Sequence, residues 1–101
     1  MTQLVPVKMI TIIALGSLQN RIVIDLKNCG IKGYTIAEVD GEGLHGQHFT
    51  DWEGRNIRIE TVASEDTVLR IMEMLSQNYF EKFGVIAFIT TVEVLRKERF
   101  D

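Results

Sequence analysis

The fold of this chain is decided by residues 5–39, VPVKMITIIALGSLQNRIVIDLKNCGIKGYTIAEV. Val5 to Leu15 is apolar and rich in β-branched residues, which predicts a buried strand. Ser17 is the expected N-cap of a helix, and Gly30 is its expected C-terminal stop. Tyr34 to Val39 has the composition of a second strand. The helix between them has four apolar residues at the spacing of one helix face: Leu18, Ile22, Leu26 and Cys29.

The second half of the chain repeats this order of elements without repeating the sequence. Asn56 to Val62 alternates apolar and charged residues, Ser64 is the expected N-cap of a second helix, and a short loop ending at Gly84 precedes a strand over Val85 to Leu95. The order predicts an α+β protein with a ferredoxin-like βαββαβ sandwich, in which an antiparallel four-stranded sheet carries two helices on one face. The apolar stripe of the second helix is Val68, Ile71, Met72, Leu75 and Tyr79.

The first and last strand patterns are apolar at nearly every position. A sheet with one face in water normally alternates apolar and polar residues, and Val85 to Leu95 does so poorly. We therefore expect the sheet face opposite the helices to be buried against another subunit.

Length and charge restrict the functional classes. The 101 residues suit a single domain, residues 1–101, and a net charge of −3 argues against a nucleic-acid partner. A lone cysteine, Cys29, cannot form an intrachain disulfide and is expected to be a small buried apolar residue. The apolar run from Met9 to Leu15 is too short to cross a bilayer and is followed by no signal-cleavage site. These features together predict a cytoplasmic protein.

Residues 41–55 are expected to form one long loop with a function. The segment contains both histidines and the only tryptophan, and long loops on small rigid domains are often functional. His45 and His48 with Asp51 have metal-ligand side chains, but two solvated histidines are favoured because no second ligand pair exists elsewhere. Trp52 is either a partner anchor or a side chain that packs back on the domain.

Catalytic motifs are absent from the sequence. It contains no nucleophile elbow, no Walker loop and no His-Glu-x-x-His, and Cys29 has nothing to lower its pKa. We therefore expect that this protein is not an enzyme. On spacing alone, Gly41-Glu-Gly43 is either a backbone cradle for phosphate or a plain turn.

The segment from Gly30 to Gly43, GIKGYTIAEVDGEG, resembles the PII nitrogen-regulatory family. In that family a Gly-x-x-Gly-x-Thr-x-x-Glu-Val-x-Gly-x-Gly segment leads into the signalling T-loop. Asn56 to Val62 is similar to the strand that returns from that loop, and Gly84 to Arg96 is similar to the B-loop exit and last strand.

The resemblance implies a homotrimer that binds adenine nucleotides in clefts between subunits. Carried over by position, Thr35 would contact the base, and Gly41 and Gly43 would form the T-loop stem. Gly84 would belong to the B-loop and Arg96 would contact a phosphate, which suits glycine backbone and a guanidinium.

Several positions depart from the pattern of true PII proteins. The stretch from Tyr79 to Gly84 lacks the glycine-rich B-loop, Val85 and Asn56 stand where lysines are expected, and Glu98 replaces an arginine. These losses argue against ATP binding in the usual manner. The aromatic B-loop is more similar to the PII-like proteins linked to bicarbonate transport and carboxysomes.

The sequence thus predicts a PII-like regulatory protein with a small-molecule effector, an adenine nucleotide such as AMP, cyclic AMP, ADP or ATP. Its partner loop, 41–55, would modulate a membrane transporter or a cytosolic enzyme. The alternative is a metal-responsive or structural ferredoxin-like trimer that has lost nucleotide binding.

Overall fold

The computed structural model describes residues 3–41 and 55–95. Four strands and two long helices account for most of them, with a 3₁₀ turn at Gly16–Leu18 and a one-turn helix near the end. In chain order the elements are β1 (Val5–Leu15), α1 (Gln19–Asn28), β2 (Thr35–Val39), β3 (Asn56–Ala63), α2 (Glu65–Asn78), α3 (Phe80–Phe83) and β4 (Ile86–Val94).

The four strands form one antiparallel sheet in the order β2-β3-β1-β4. Strand β3 lies between β1 and β2, and β1 lies between β3 and β4, so each βαβ unit is split by a strand from the other unit. This is the ferredoxin-like arrangement that the sequence predicted. The pairing places Thr35, Glu60, Thr11 and Phe88 in one row across the sheet.

One hydrophobic core lies between the sheet and the two long helices. Alternate residues of β1 and β3 meet the apolar faces of α1 and α2, and full burial of each such side chain contributes about 1.5–3 kcal/mol. The predicted helix stripes are confirmed at their central residues, which have no exposed surface: Ile22, Leu26, Ile71 and Leu75. The strand residues Ile10, Ile12 and Ile59 are buried to the same extent against them.

The helix ends confirm two of the three predicted signals. The Ser64 hydroxyl accepts a hydrogen bond from the Thr67 N–H at 3.3 Å, and Gly30 ends the first helical segment with φ of 99°. The N-cap prediction for Ser17 is wrong. The chain enters α1 through the 3₁₀ turn, so Leu18 occupies the cap position and no side chain caps the helix.

Two local predictions also need correction. The short loop before Gly84 is instead the helix α3, because the Phe83 N–H donates to the Tyr79 carbonyl at 3.0 Å and the two rings lie 5.9 Å apart. Gly84 then reverses the chain with φ of 65°. Cys29 is only half-buried, because it lies at the C-terminal end of α1 and meets the edge of the core.

The sheet face opposite the helices, here called the open face, exposes apolar side chains in this single chain. Phe88 is 50% exposed and Ile86 is 41% exposed. The prediction that another subunit covers this face stays a prediction. No helix in residues 3–41 and 55–95 is long and apolar enough to cross a membrane.

Candidate functional site

The predicted effector residues lie at opposite ends of the sheet. Thr35 is the first residue of β2 and Gly41 lies two residues beyond its last, Val39, so six residues of extended chain separate Thr35 and Gly41 by about 20 Å. Gly84 lies on the same side as Gly41, because β4 begins opposite Ile13, near the end of β1. One chain therefore presents two separate groups of candidate residues.

The first group, here called the Thr35 end, surrounds an open cavity of about 690 Å³. Strands β1, β3 and β4 and the segment before β2 all contribute to its wall. Its lining includes Lys32, Tyr34, Thr35, Glu60, Val62 and Leu95. A cavity of this size and mixed polarity falls in the range of small-molecule sites.

Glu60 is the acidic group among the described residues that line this cavity. It pairs with Thr35 across the sheet, which places both side chains on the same face. The buried Thr11 hydroxyl donates a hydrogen bond to Glu60 Oε2 at 3.4 Å, and Arg58 Nε lies 3.8 Å from the same oxygen. The Glu60 side chain is held in place and remains about one-third exposed, at 31%.

The wall of the cavity on the β2 side is fixed by a buried hydroxyl. Thr61, which is 3% exposed, donates a hydrogen bond to the Gly33 carbonyl at 2.6 Å. This bond anchors the chain just before Tyr34, whose ring is 42% exposed and has Lys27 Nζ 6.0 Å from its centroid. The cavity therefore has a fixed backbone and an aromatic residue at its edge.

The second group, here called the loop end, consists of Gly16, Asp40, Gly41, Arg55 and Gly84. Asp40 and Arg55 follow the last β2–β3 pair, and Arg55 Nη1 lies 2.5 Å from Asp40 Oδ1. The Gly16 N–H donates to the Arg55 carbonyl at 2.6 Å. A Cβ atom at position 16 would lie 2.6 Å from that carbonyl oxygen, so only glycine fits.

The approach to Gly84 is held by a cluster that joins α1, α2 and α3. The Arg21 guanidinium lies 5.0 Å from the ring centroids of both Tyr79 and Phe83. The Tyr79 hydroxyl donates a hydrogen bond to Asp25. Burial, followed by that hydrogen bond, raises the pKa of Tyr79 to about 12. The cluster therefore orients the last turn before Gly84.

Cys29 remains a poor nucleophile in the folded chain. Burial raises the pKa of its thiol, and the nearby Arg70 guanidinium only partly opposes this effect. The structure thus offers no activated thiolate at this position.

The structure describes only part of the predicted site. Thr35, Gly41 and Gly84 are divided between the two ends, whereas five further predicted residues lie outside the described ranges. In residues 3–41 and 55–95, no three His, Cys, Asp or Glu side chains form a possible metal site. The predicted residues outside these ranges are Gly43, His45, His48, Trp52 and Arg96.

Glu60 and Arg55 are candidate residues that the sequence did not assign to the site. Glu60 in a strand has the pattern of an ordinary solvent-facing carboxylate, and only the pairing with β2 places it beside Thr35. Arg55 is the last residue of the predicted loop, and its link to Asp40 spans fifteen residues. The signal available in the sequence was a pair of opposite charges flanking the loop.

The family model described as nitrogen regulatory protein P-II matches residues 7–99. The chain belongs to this family. The match confirms the resemblance to PII proteins, which are a family of regulatory proteins. No curated protein sequence matches the chain.

Solved structures of PII-like proteins share this fold along nearly the whole chain. A putative PII-like signalling protein from Thermus thermophilus is 45% identical, with a TM-score of 0.85, covering 98% of this chain and 99% of that one. The PII-like protein CPII of Thiomonas intermedia, bound to ADP and bicarbonate, is 28% identical, with a TM-score of 0.87 and full coverage of both chains. The apo form of CPII is 26% identical, with a TM-score of 0.78, covering 95% of this chain and 99% of that one.

Proposed function

We propose that this protein is a regulatory subunit that binds an adenine nucleotide between two copies of the chain and thereby alters its contact with a partner protein. The observation that carries the proposal is the division of the candidate residues between two ends of one sheet. The solved complexes of Thiomonas CPII with ADP and AMP support an adenine nucleotide as the effector.

The Thr35 end has the chemistry to select adenine. The Glu60 carboxylate accepts hydrogen bonds, and the neighbouring Thr35 hydroxyl both donates and accepts. The exocyclic amine of adenine would donate to the carboxylate, whereas guanine bound in the same orientation would place a carbonyl oxygen at that position. Two acceptors facing each other leave both unpaired, which disfavours guanine.

The loop end has the chemistry to accept phosphates. Gly41 and Gly84 bring backbone close to a ligand without a Cβ atom in the way, and Arg55 carries a positive charge. Within one chain this end is about 20 Å from the Thr35 end. A nucleotide therefore contacts both only when the Thr35 end of one chain meets the loop end of another.

A contact between the Thr35 end of one copy and the loop end of the next copy is head-to-tail, and such contacts form a closed ring when the rotation between copies closes. We propose a ring of three chains, the homotrimer expected for PII proteins, with one nucleotide in each cleft. The exposed apolar side chains Ile86 and Phe88 of the open face would be buried within that ring.

Residues 41–55 would contact the partner protein and transmit the regulatory signal to it. Phosphates bound beside Gly41 would change the chain at the start of this segment, and with it the surface offered to a partner. Membrane transporters and cytosolic enzymes are the partner classes for which this output is proposed.

Isothermal titration calorimetry with AMP, cyclic AMP, ADP, ATP and GDP tests the proposal. We expect binding of one adenine nucleotide per chain and at least tenfold weaker binding of GDP than of ADP. Glu60→Gln presents an amide that also donates, so it should reduce this preference about tenfold. Glu65→Gln on the exposed first turn of α2 is the matched control. Failure of every adenine nucleotide to bind would contradict the proposed function.

A further inference from the structure

We propose that Arg55 is a phosphate contact of the effector and that Asp40 competes with the phosphate for its guanidinium. The inference rests on the proposed function, because it assigns a role within the same nucleotide site. It concerns two residues at the loop end to which the PII pattern gave no role.

The backbone of Arg55 is fixed on both sides. The next residue, Asn56, pairs with Val39 of β2 and with Leu15 of β1, so Arg55 directly precedes a strand held by two neighbours. The Gly16 N–H then binds the Arg55 carbonyl at 2.6 Å. The guanidinium therefore extends from a rigid point at the edge of the loop end.

Among residues 3–41 and 55–95, the exposed side chain of Arg55 has a single ion-pair partner, Asp40. The Arg55 and Asp40 side chains are 62% and 79% exposed, so water weakens their attraction. The contact joins one nitrogen, Nη1, to one carboxylate oxygen. A guanidinium has five N–H donors, which leaves donors for a second anion.

A phosphate is the stronger competitor for this guanidinium. A terminal phosphate carries up to two negative charges and three acceptor oxygens, whereas Asp40 carries one charge. Arginine stays protonated at any physiological pH and matches phosphate geometry with paired donors. The exchange of Asp40 for phosphate is therefore favourable once a nucleotide brings its phosphates to the loop end.

A phosphate contact from Arg55 would also compensate for positive charges that the loop end lacks. Asn56 and Val85 are uncharged where a phosphate site would gain from lysines, and both lie at the loop end. Arg55 is adjacent to Asn56 in the chain. It supplies a cation at the end of the sheet where Gly41 and Gly84 lie.

The test is calorimetric titration of adenosine, AMP and ADP into the wild-type protein and four variants, one of which is a control. Arg55→Ala should weaken ADP binding about tenfold to a hundredfold and leave adenosine binding unchanged. Arg55→Lys should retain part of the ADP affinity, and Asp40→Asn should strengthen ADP binding about threefold at low salt. Lys8→Ala is the control for loss of one positive charge, because Lys8 contacts Thr91 in β4 and lies away from the loop end.

The outcomes separate this inference from the function on which it rests. Wild-type protein that binds no adenine nucleotide would contradict the proposed function itself. Wild-type protein that binds ADP, with an Arg55→Ala variant of equal ADP affinity, would overturn only the role of Arg55. Equal weakening of adenosine and ADP by Arg55→Ala would also overturn it, since the residue would then act through the fold. Thermal unfolding of each variant confirms that it is folded.

Discussion

At the scale of single residues, the lack of a side chain at Gly16 lets two backbone segments of the loop end approach closely. The sequence predicted only that a strand stops near this position. The structure shows that the backbone of Arg55 passes so closely that a Cβ atom would contact its carbonyl oxygen at 2.6 Å. The missing side chain thus allows the 2.6 Å hydrogen bond that positions Arg55.

Gly16→Ala should lower the free energy of unfolding by about 1–3 kcal/mol, because the two backbone segments must separate to admit the methyl group. Urea denaturation at fixed protein concentration measures the change. Gly33→Ala is the matched control, since a Cβ atom there meets nothing within 4 Å and the backbone has no positive φ. Its effect should stay within about 0.5 kcal/mol. Equal stability of the two variants would show that the chain relaxes around position 16.

Single residues also show which contacts a local sequence pattern can predict and which it cannot. The side-chain cap at Ser64 is local and was predicted correctly, whereas Ser17 was misassigned because a 3₁₀ turn shifts the helix start. Glu60 and Thr35 meet only through strand pairing across twenty-five positions of sequence. Strand register depends on the whole sheet, so no local pattern predicts such a contact.

At the scale of elements, the long apolar segments were the most predictable. The bounds of β1, Val5–Leu15, agree with the prediction because β-branched residues fill the strand and glycine ends it. Helix α3 was missed because four residues carry no helical period, and its stability comes from contacts between rings and from Arg21 on α1. The approach to Gly84 is therefore a tertiary feature.

The burial of Tyr79, followed by its hydrogen bond to Asp25, predicts a pH-dependent stability. The folded-state pKa of Tyr79 is raised to about 12 from 10.0 in the unfolded chain, so the protonated phenol is favoured by folding. This contribution is complete below pH 10 and is lost as the pH rises through 12. The stability difference between wild-type protein and Tyr79→Phe should therefore be constant below pH 10 and shrink above it.

Urea denaturation between pH 7 and 12 measures this difference. Tyr34→Phe is the control, because the Tyr34 ring is 42% exposed while that of Tyr79 is 1% exposed. A Tyr79→Phe profile parallel to that of wild-type protein throughout would show that burial and the Asp25 bond do not raise the pKa of Tyr79 on folding.

At the scale of the whole molecule, the open face and the divided site point to the same assembly. The row from Thr35 through Glu60 and Thr11 to Phe88 runs across that face. The face is thus polar where the cavity lies and apolar at β4. In the proposed ring, a neighbouring chain would cover the apolar part and complete the cavity.

Phe88→Glu should convert the proposed trimer to monomers, because three buried carboxylates would lose their hydration at the contact. Native mass spectrometry measures the number of chains in the particle. Leu69→Glu on α2 is the matched control, since this side chain is 65% exposed on the helical layer, and its trimer should persist. A Phe88→Glu trimer would place the subunit contact elsewhere.

The separation of the two ends of the sheet predicts genetic complementation between two defective forms of the chain. A cell that expresses two defective forms of the chain, one damaged at Thr35 and the other at Gly84, would make no working site from either form alone. When the two forms are made in equal amounts and associate at random into the proposed rings, however, an intact loop end meets an intact Thr35 end in about a quarter of all clefts. Two recessive lesions in one gene would then complement each other, which a site contained within a single chain forbids.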